Sequence, residues 1–180
     1  MSKVASVKTK KARHVGEGKN KDYSPYITTS EFNSLGTTSV IVDWKTGRGV
    51  HCLSQAEAYW YYVLRWDDDN VDIREQYPLD TKISAELAKE NNILHPYNNS
   101  SVMTTDFLVT KTDNTYHAYS VKATRKGLSQ RTLEKLFLEK TYWENKGVPF
   151  NLLFKEDFNM TLVRNIRYIK NPLDKVYALA

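Results

Sequence analysis

The stretch MTTDFLVTKTDNTYHAYSVK, Met103–Lys122, leaves this chain the least freedom in what it can fold into. Apolar and polar residues alternate on both sides of a polar turn, β-branched and aromatic residues are enriched, and an Asp-Asn pair stands at the centre. The pattern predicts two strands, Met103–Thr110 and Tyr116–Thr124, joined through Lys111–Thr115. With the turn centred on Asp113, antiparallel pairing sets Asp106 opposite Ser120 and Thr104 opposite Lys122. Side chains alternate with period two. Asp106, Ser120 and Lys122 then share one face, and Phe107, Val109, Tyr119 and Val121 share the other. A carboxylate and an ammonium held together on a sheet can bind a metal and position a water. The same pair also reads as an ordinary cross-strand salt bridge, and the choice between the two turns on a third residue, Glu57.

Glu57 lies in Ser54–Trp66 (SQAEAYWYYVLRW), the first clear helix. Ser54 is a good N-cap and Ser-x-x-Glu is a capping box, so Glu57 has a purely structural explanation. It also shares its side of the helix with Trp60, Tyr61 and Leu64. A carboxylate on an inward face is costly to bury unless something cationic meets it. Position therefore favours a working role beside the cap.

The remaining segments set the framework. Tyr23–Phe32 reads as an entry strand or short helix, Thr38–Trp44 as a strand, Lys45–Gly49 as a turn and Val50–Leu53 as its hairpin partner. Asp67–Asn70 is a solvated acidic turn without the spacing of a calcium loop. Val71–Leu79 is a strand ended by Pro78, and Thr81–Asn92 is a helix. Ser129–Lys146 is the longest helix, closed by Gly147, with Leu133, Leu136, Phe137 and Trp143 expected inside and Glu139 at the edge of that face. Phe150–Phe154 is a short strand. Asn159–Lys170 is a last helix whose Arg164, Arg167 and Lys170 offer an edge for phosphates. The order predicts an α/β architecture with helices packed on a central sheet.

At 180 residues, 41% hydrophobic and 26% charged, the chain suits one soluble domain. Its single cysteine, Cys52, excludes an intramolecular disulfide and a cysteine-rich zinc site. No apolar run reaches membrane-spanning length and the start lacks a secretory apolar core, so no membrane partner and a cytoplasmic location are expected. Residues 1–20 hold Lys3, Lys8, Lys10, Lys11, Arg13 and Lys19 against Glu17 alone, which accounts for the whole net charge of +5. They read as a flexible basic arm, followed by a folded domain over 21–170 and a tail over 171–180. Lys8, Lys10, Lys11 and Arg13 would grip phosphates by counterion release if the arm is more than a solubilising tail.

The segments DYSPYITTSEFNSLG, LSQAE, VDIREQYPL, VMTTDFL and YSVKATRKGLSQRTLEKLFLEKTYWENKGVPF closely resemble TnsA-type transposon-end endonucleases, in collinear order over about residues 20–165. The resemblance implies a restriction-endonuclease-like core, a mixed central β-sheet flanked by helices, with Glu57, Asp106 and Lys122 as the catalytic set. Relatives carry Gln or an acidic residue two positions before the lysine, where this chain has Ser120. Metal ligands would come from Glu57, Asp106, Ser120 and the Val121 carbonyl, with Glu139 as a second-metal candidate. Magnesium suits such hard oxygens, and manganese would substitute for it. Arg125, Lys126 and Arg131, which follow the lysine, are further candidates for DNA contact. The implied function is cleavage of the 5′ strands of double-stranded DNA at transposon ends. A separate DDE-type transposase would handle the 3′ strands, with a regulatory ATPase as a further partner. Relatives commonly carry a C-terminal helical domain, and only about ten residues follow Lys170 here. The alternatives are a stand-alone phage or repair nuclease of the same fold, and a DNA-binding subunit without catalysis.

Overall fold

A computed structural model describes residue 10 and residues 14–31, 37–96 and 102–170. Along the chain run β1 (Ser39–Val42), β2 (Gly49–Cys52), α1 (Gln55–Trp66), β3 (Asn70–Pro78), α2 (Thr81–Glu90), β4 (Thr104–Lys111), β5 (Tyr116–Lys122), α3 (Gln130–Glu144), β6 (Phe150–Phe154) and α4 (Met160–Lys170). The predicted central hairpin is β4 and β5, with Phe107 opposite Tyr119 and Thr110 opposite Tyr116. Its turn is fixed by Asp113, whose carboxylate accepts the backbone N–H and the hydroxyl of Thr115, and by Asn114 in the left-handed region at φ +65°. Around the hairpin the main sheet runs β3-β4-β5-β6, antiparallel except for the parallel β5–β6 pair, and β1–β2 forms a separate hairpin.

Alternation along β4 and β5 divides the core into two layers. Phe107, Val109 and Val121 pack with Tyr61 and Leu64 of α1 and with Ile41 and Val50 of the small hairpin. Leu108 and Ala118 point the other way, onto Leu87 and Ala88 of α2 and Leu138, Tyr142 and Trp143 of α3. The sheet is therefore covered on both faces, an α/β layering in which helices bury what the strands expose. Among the described residues no helix is long and apolar enough to cross a membrane.

The alternation fails in the middle of β3. Gln76 of β3 has φ +48° and stands, by register, opposite Asp106. Glu75, just before it, turns its carboxylate to Arg48 and to the His51 N–H of β2, on the α1 side. Tyr77, just after it, sets its ring 5.9 Å from that of Trp143 of α3, tilted by 46°. Residues two apart in a strand ordinarily share a face; one left-handed residue between them reverses that. On β4 the same reversal separates Phe107, against α1, from Thr105, whose hydroxyl contacts α3.

Two expectations are corrected by this packing. The N-terminal segment is not wholly a free arm. Asn20 N–H donates to Asp72, the Tyr23 hydroxyl to the Glu75 carbonyl at 2.9 Å, and Tyr26 N–H to the Gln76 carbonyl, so residues 20–26 lie along β3 and cover that edge of the sheet. Gly16, at φ +85°, passes so close to Pro78 that any side chain there would collide with the proline ring. Lys10 is 3% exposed, with its ammonium on Glu31 at 3.0 Å, on the Tyr26 carbonyl and over the Tyr26 ring. Burial and pairing leave it no charge to offer to phosphates. In α3, Leu133 and Phe137 are each 46% exposed, and Leu138 and Tyr142 are buried in their place. The helix is rotated so that Glu139 sits within the buried stripe rather than at its edge, held there by polar contacts described below.

The small hairpin is fastened to β3 by charge. Both terminal nitrogens of Arg48 reach the Glu75 carboxylate, at 2.6 and 2.7 Å, and Nη2 also donates to the Ile73 carbonyl. Glu75 is fully buried. Arg48→Met is expected to destabilise the protein by about 3–5 kcal/mol, because it leaves a buried carboxylate without its cation. Urea denaturation measures this, and the double variant Arg48→Met/Glu75→Met should recover much of the loss.

Candidate active site

The helix cap and the hairpin place the two ends of the site. Ser54 Oγ accepts the Glu57 N–H at 3.1 Å, and the Glu57 carboxylate reaches back to the Leu53 N–H at 2.9 Å and to the Ser54 hydroxyl at 2.8 Å. The capping box therefore holds Glu57 at the first turn of α1 with 7% exposure. Gln76 Nε2 donates to the same Oε2 at 3.2 Å. Asp106 lies where β4 and β5 part. Their backbone ladder ends at Phe107–Tyr119, and the Val121 N–H beyond it is taken by Asp106 Oδ2 at 2.6 Å.

Lys122 completes the centre. Its Nζ lies 3.6 Å from Asp106 Oδ2 and donates to Ser120 Oγ and to the Val121 carbonyl, both at 2.9 Å. The Ser120 hydroxyl in turn stands 3.4 Å from Asp106. From the opposite face α3 supplies Glu139, whose Oε1 accepts the Thr105 hydroxyl at 2.8 Å, and Thr105 accepts Trp143 Nε1–H at 2.6 Å. Asp106, Ser120, Val121 and Lys122 are thus in direct contact. Glu57 and Glu139 stand behind them on either side, where Asp106 and Lys122 act on both through charge and Ser120 acts on Glu139 as a hydrogen-bond donor.

That charge is legible in the titration of the flanking carboxyls. Burial, followed by the charge of Asp106, raises Glu57 to about 7 against the pull of the Leu53 N–H, Ser54 and Lys122. Burial and again Asp106 raise Glu139 to about 8 against the pull of Lys122, Thr105 and Ser120. Burial lowers the Lys122 ammonium, but Asp106, Glu139 and Glu57 outweigh it and hold its pKa above the ordinary value. Negative charge is in excess at Asp106, with one ammonium to balance it.

The candidates for DNA contact are dispersed. Lys8, Lys11 and Arg13 lie outside the described residues. Arg125, on the loop after β5, is bound at both terminal nitrogens by Asp157, at 2.5 and 2.6 Å, also meets Glu156, and lies over the Phe154 ring. It is paired with the Lys155–Asp157 turn while its side chain stays 54% exposed. Arg131 pairs with Glu134 one helical turn on, and Lys126 is exposed. On α4, Arg164 and Arg167 line an open cleft of about 480 Å³ with Asn165 and Tyr168, and Lys170 sits over the rings of Trp44 and Trp66. Gln76, Thr105 and Trp143 are the site residues that sequence reasoning missed as such. The only signal for Gln76 was an uncharged polar side chain inside a strand.

The mixed sheet, the carboxylate and lysine on adjacent strands and the carboxylates from both flanking helices define a restriction-endonuclease-like α/β domain. Residues 67–155 match the family model described as TnsA-like endonuclease N terminal, a stretch containing Asp106, Ser120, Lys122 and Glu139. The chain is 35% identical over 158 residues to the Transposon Tn7 transposition protein TnsA of Escherichia coli, covering 86% of this chain and 58% of that protein. By these two matches the chain resembles TnsA-like endonucleases. It spans somewhat over half the length of the curated relative it matches.

Proposed function

We propose that this protein is a divalent-metal-dependent DNA endonuclease of transposition, cutting the 5′ strands at transposon ends beside a separate DDE-type transposase that cuts and joins the 3′ strands. The observation that carries this reading is Asp106, a carboxylate 3.6 Å from Lys122 whose charge raises buried carboxyls on both sides of the sheet. A cross-strand salt bridge needs one carboxylate. Two further buried carboxyls that feel the charge of Asp106 are a cost that a bound cation would relieve.

The donors suit a hard cation. They are the carboxylates of Asp106, Glu57 and Glu139, the Val121 carbonyl and the Ser120 hydroxyl, all oxygen. Among the described residues no three His, Cys, Asp or Glu side chains are grouped closely enough to hold a metal by themselves. Waters and phosphate oxygens would complete the shell, as magnesium prefers. When bound, the metal supplies a water of lowered pKa and neutralises charge building on the scissile phosphate. Lys122, kept protonated by its neighbours, acts as a fixed positive donor to that phosphate or to the attacking water rather than as a base. The Val121 N–H holds Asp106 in place, and the Ser120 hydroxyl bridges Asp106 and Lys122. By the same resemblance a regulatory ATPase is a further partner.

The test is a cleavage assay on transposon-end DNA with the transposase of the same element, scoring 5′ and 3′ strands separately in Mg²⁺, Mn²⁺ and chelator. Asp106→Ala is expected to lose 5′ cutting and to lose Mn²⁺ binding by calorimetry, with 3′ joining retained. Full 5′ cutting by Asp106→Ala, or in chelator, overturns the reading.

A further inference from the structure

Gln76 is 2% exposed and left-handed in the middle of a strand. Gly or Asn adopts that backbone with little strain, and a residue with a long side chain there is uncommon. Strain of this kind persists where the surrounding structure uses it. Two uses are visible. The backbone reversal at Gln76 stands opposite Asp106, where β4 changes sides as well: Phe107 packs with α1, which carries Glu57, while Thr105 contacts Glu139 of α3. The side chain spans the site: Nε2 donates to Glu57 Oε2 at 3.2 Å, and Oε1 accepts the Thr104 hydroxyl at 3.1 Å.

With Glu57 ionised the amide faces one way, since turning it over would set its oxygen against the carboxylate, acceptor against acceptor. The other donors to Glu57, Leu53 N–H and Ser54 Oγ, belong to the cap of α1 itself. Among the described residues Gln76 alone ties that carboxylate to the sheet, and it does so with a neutral group, which orients the charge without cancelling it.

We propose that Gln76 is a positioning residue of this site: its left-handed backbone directs Glu57 and Glu139 towards Asp106 from opposite faces, and its amide fixes the Glu57 carboxylate for a divalent cation. The proposal rests on the reading of the site given above. Outer partners that orient metal-binding carboxylates are typically worth ~10–100-fold in metal affinity or activity.

The test uses the full chain and three variants, Gln76→Gly, Gln76→Ala and Asp106→Ala. Melting temperature without metal, Mn²⁺ affinity by calorimetry, and kcat and KM for 5′ cleavage are measured for each. Gln76→Gly keeps the backbone and deletes the amide. It is expected to melt higher than Gln76→Ala, bind Mn²⁺ ~10–100-fold more weakly and lose kcat with KM for DNA unchanged. Gln76→Ala should lose the same activity and also melt lower, since it carries a Cβ into the left-handed region. A Gln76→Gly variant with wild-type Mn²⁺ affinity and kcat overturns the proposal. So does one destabilised as much as Gln76→Ala, because the left-handed backbone would then not be what the position holds. If Asp106→Ala keeps Mn²⁺ binding and cleavage, the site itself is wrong. If Asp106→Ala is inactive while Gln76→Gly is intact, only the role of Gln76 falls.

Discussion

Lys122→Ala should abolish 5′-strand cleavage while leaving the protein folded and 3′ joining intact. The side chain is 28% exposed and lies on the face opposite to Tyr119 and Val121, so its removal opens no cavity in the layer beneath α1. Were its pairing with Asp106 only structural, a partly exposed ion pair would contribute about 0–1 kcal/mol, and activity would barely change. The geometry gives it more to do. Its ammonium is held by Ser120, Val121 and Asp106, and the surrounding carboxylates keep it charged. Loss of one preorganised donor to a transition state costs roughly 10²–10³ in kcat. Lys122→Arg should restore little, since a planar fork does not replace a compact ammonium at 2.9 Å from two acceptors. Retained 5′ cutting by Lys122→Ala, with stability unchanged, would show that the lysine is a salt-bridge partner and nothing else.

The second large effect concerns stability. Without divalent metal, the protein should become less stable as pH rises from about 5 to 8, and Glu139→Gln should remove much of that loss. Glu139 is raised from 4.5 to about 8 and Glu57 from 4.5 to about 7, burial being the first cause in each and Asp106 the second. A carboxyl whose pKa is higher folded than unfolded favours the folded state while protonated. Its contribution is complete below about 4.5 and is lost as pH climbs through the folded value. For a carboxyl moved from 4.5 to about 7 the whole effect is about 3 kcal/mol. The coupled pair does not give twice that. His51 and His95, lowered from 6.5 by burial, act in the opposite sense at the acid end, so the decisive comparison is between variants.

Gln at position 139 can still accept the Thr105 hydroxyl and carries no charge at any pH. Its melting temperature should therefore exceed that of the wild type at pH 8 and nearly match it at pH 5. Mg²⁺ should raise the wild-type melting temperature more at pH 8 than at pH 5, because the cation binds the ionised carboxylates. Equal pH dependence in Glu139→Gln and wild type would show that Glu139 does not carry the excess charge assigned to it.

Much of this site was written locally. The register that sets Asp106 beside Ser120 and Lys122 follows from strand alternation and from a turn closed by Asp113 on Thr115, two residues away. The cap that holds Glu57 follows from Ser54, three residues before it. Periodicity and turn chemistry depend on near neighbours, so the order of helices and strands and the α/β layering were legible in the sequence. Element ends shifted by a residue or two, as with the first helix, which starts after its cap.

What the sequence could not determine depends on partners far along the chain. Lys10 looked like a phosphate contact until Glu31 and Tyr26 closed around it, and Arg125, still half exposed, pairs with Asp157 and Glu156. Charge counts list cations, but only folding decides which are already paired. The rotation of α3 that hides Glu139 and exposes Leu133 and Phe137 is held by Thr105 and Trp143, a polar chain across two elements that helical periodicity does not register. The reversal at Gln76 is a single backbone angle in a strand whose composition gives no turn signal. It exists because contacts from Glu57, Thr104 and Tyr26 together outweigh its strain, and those residues meet only in the folded protein.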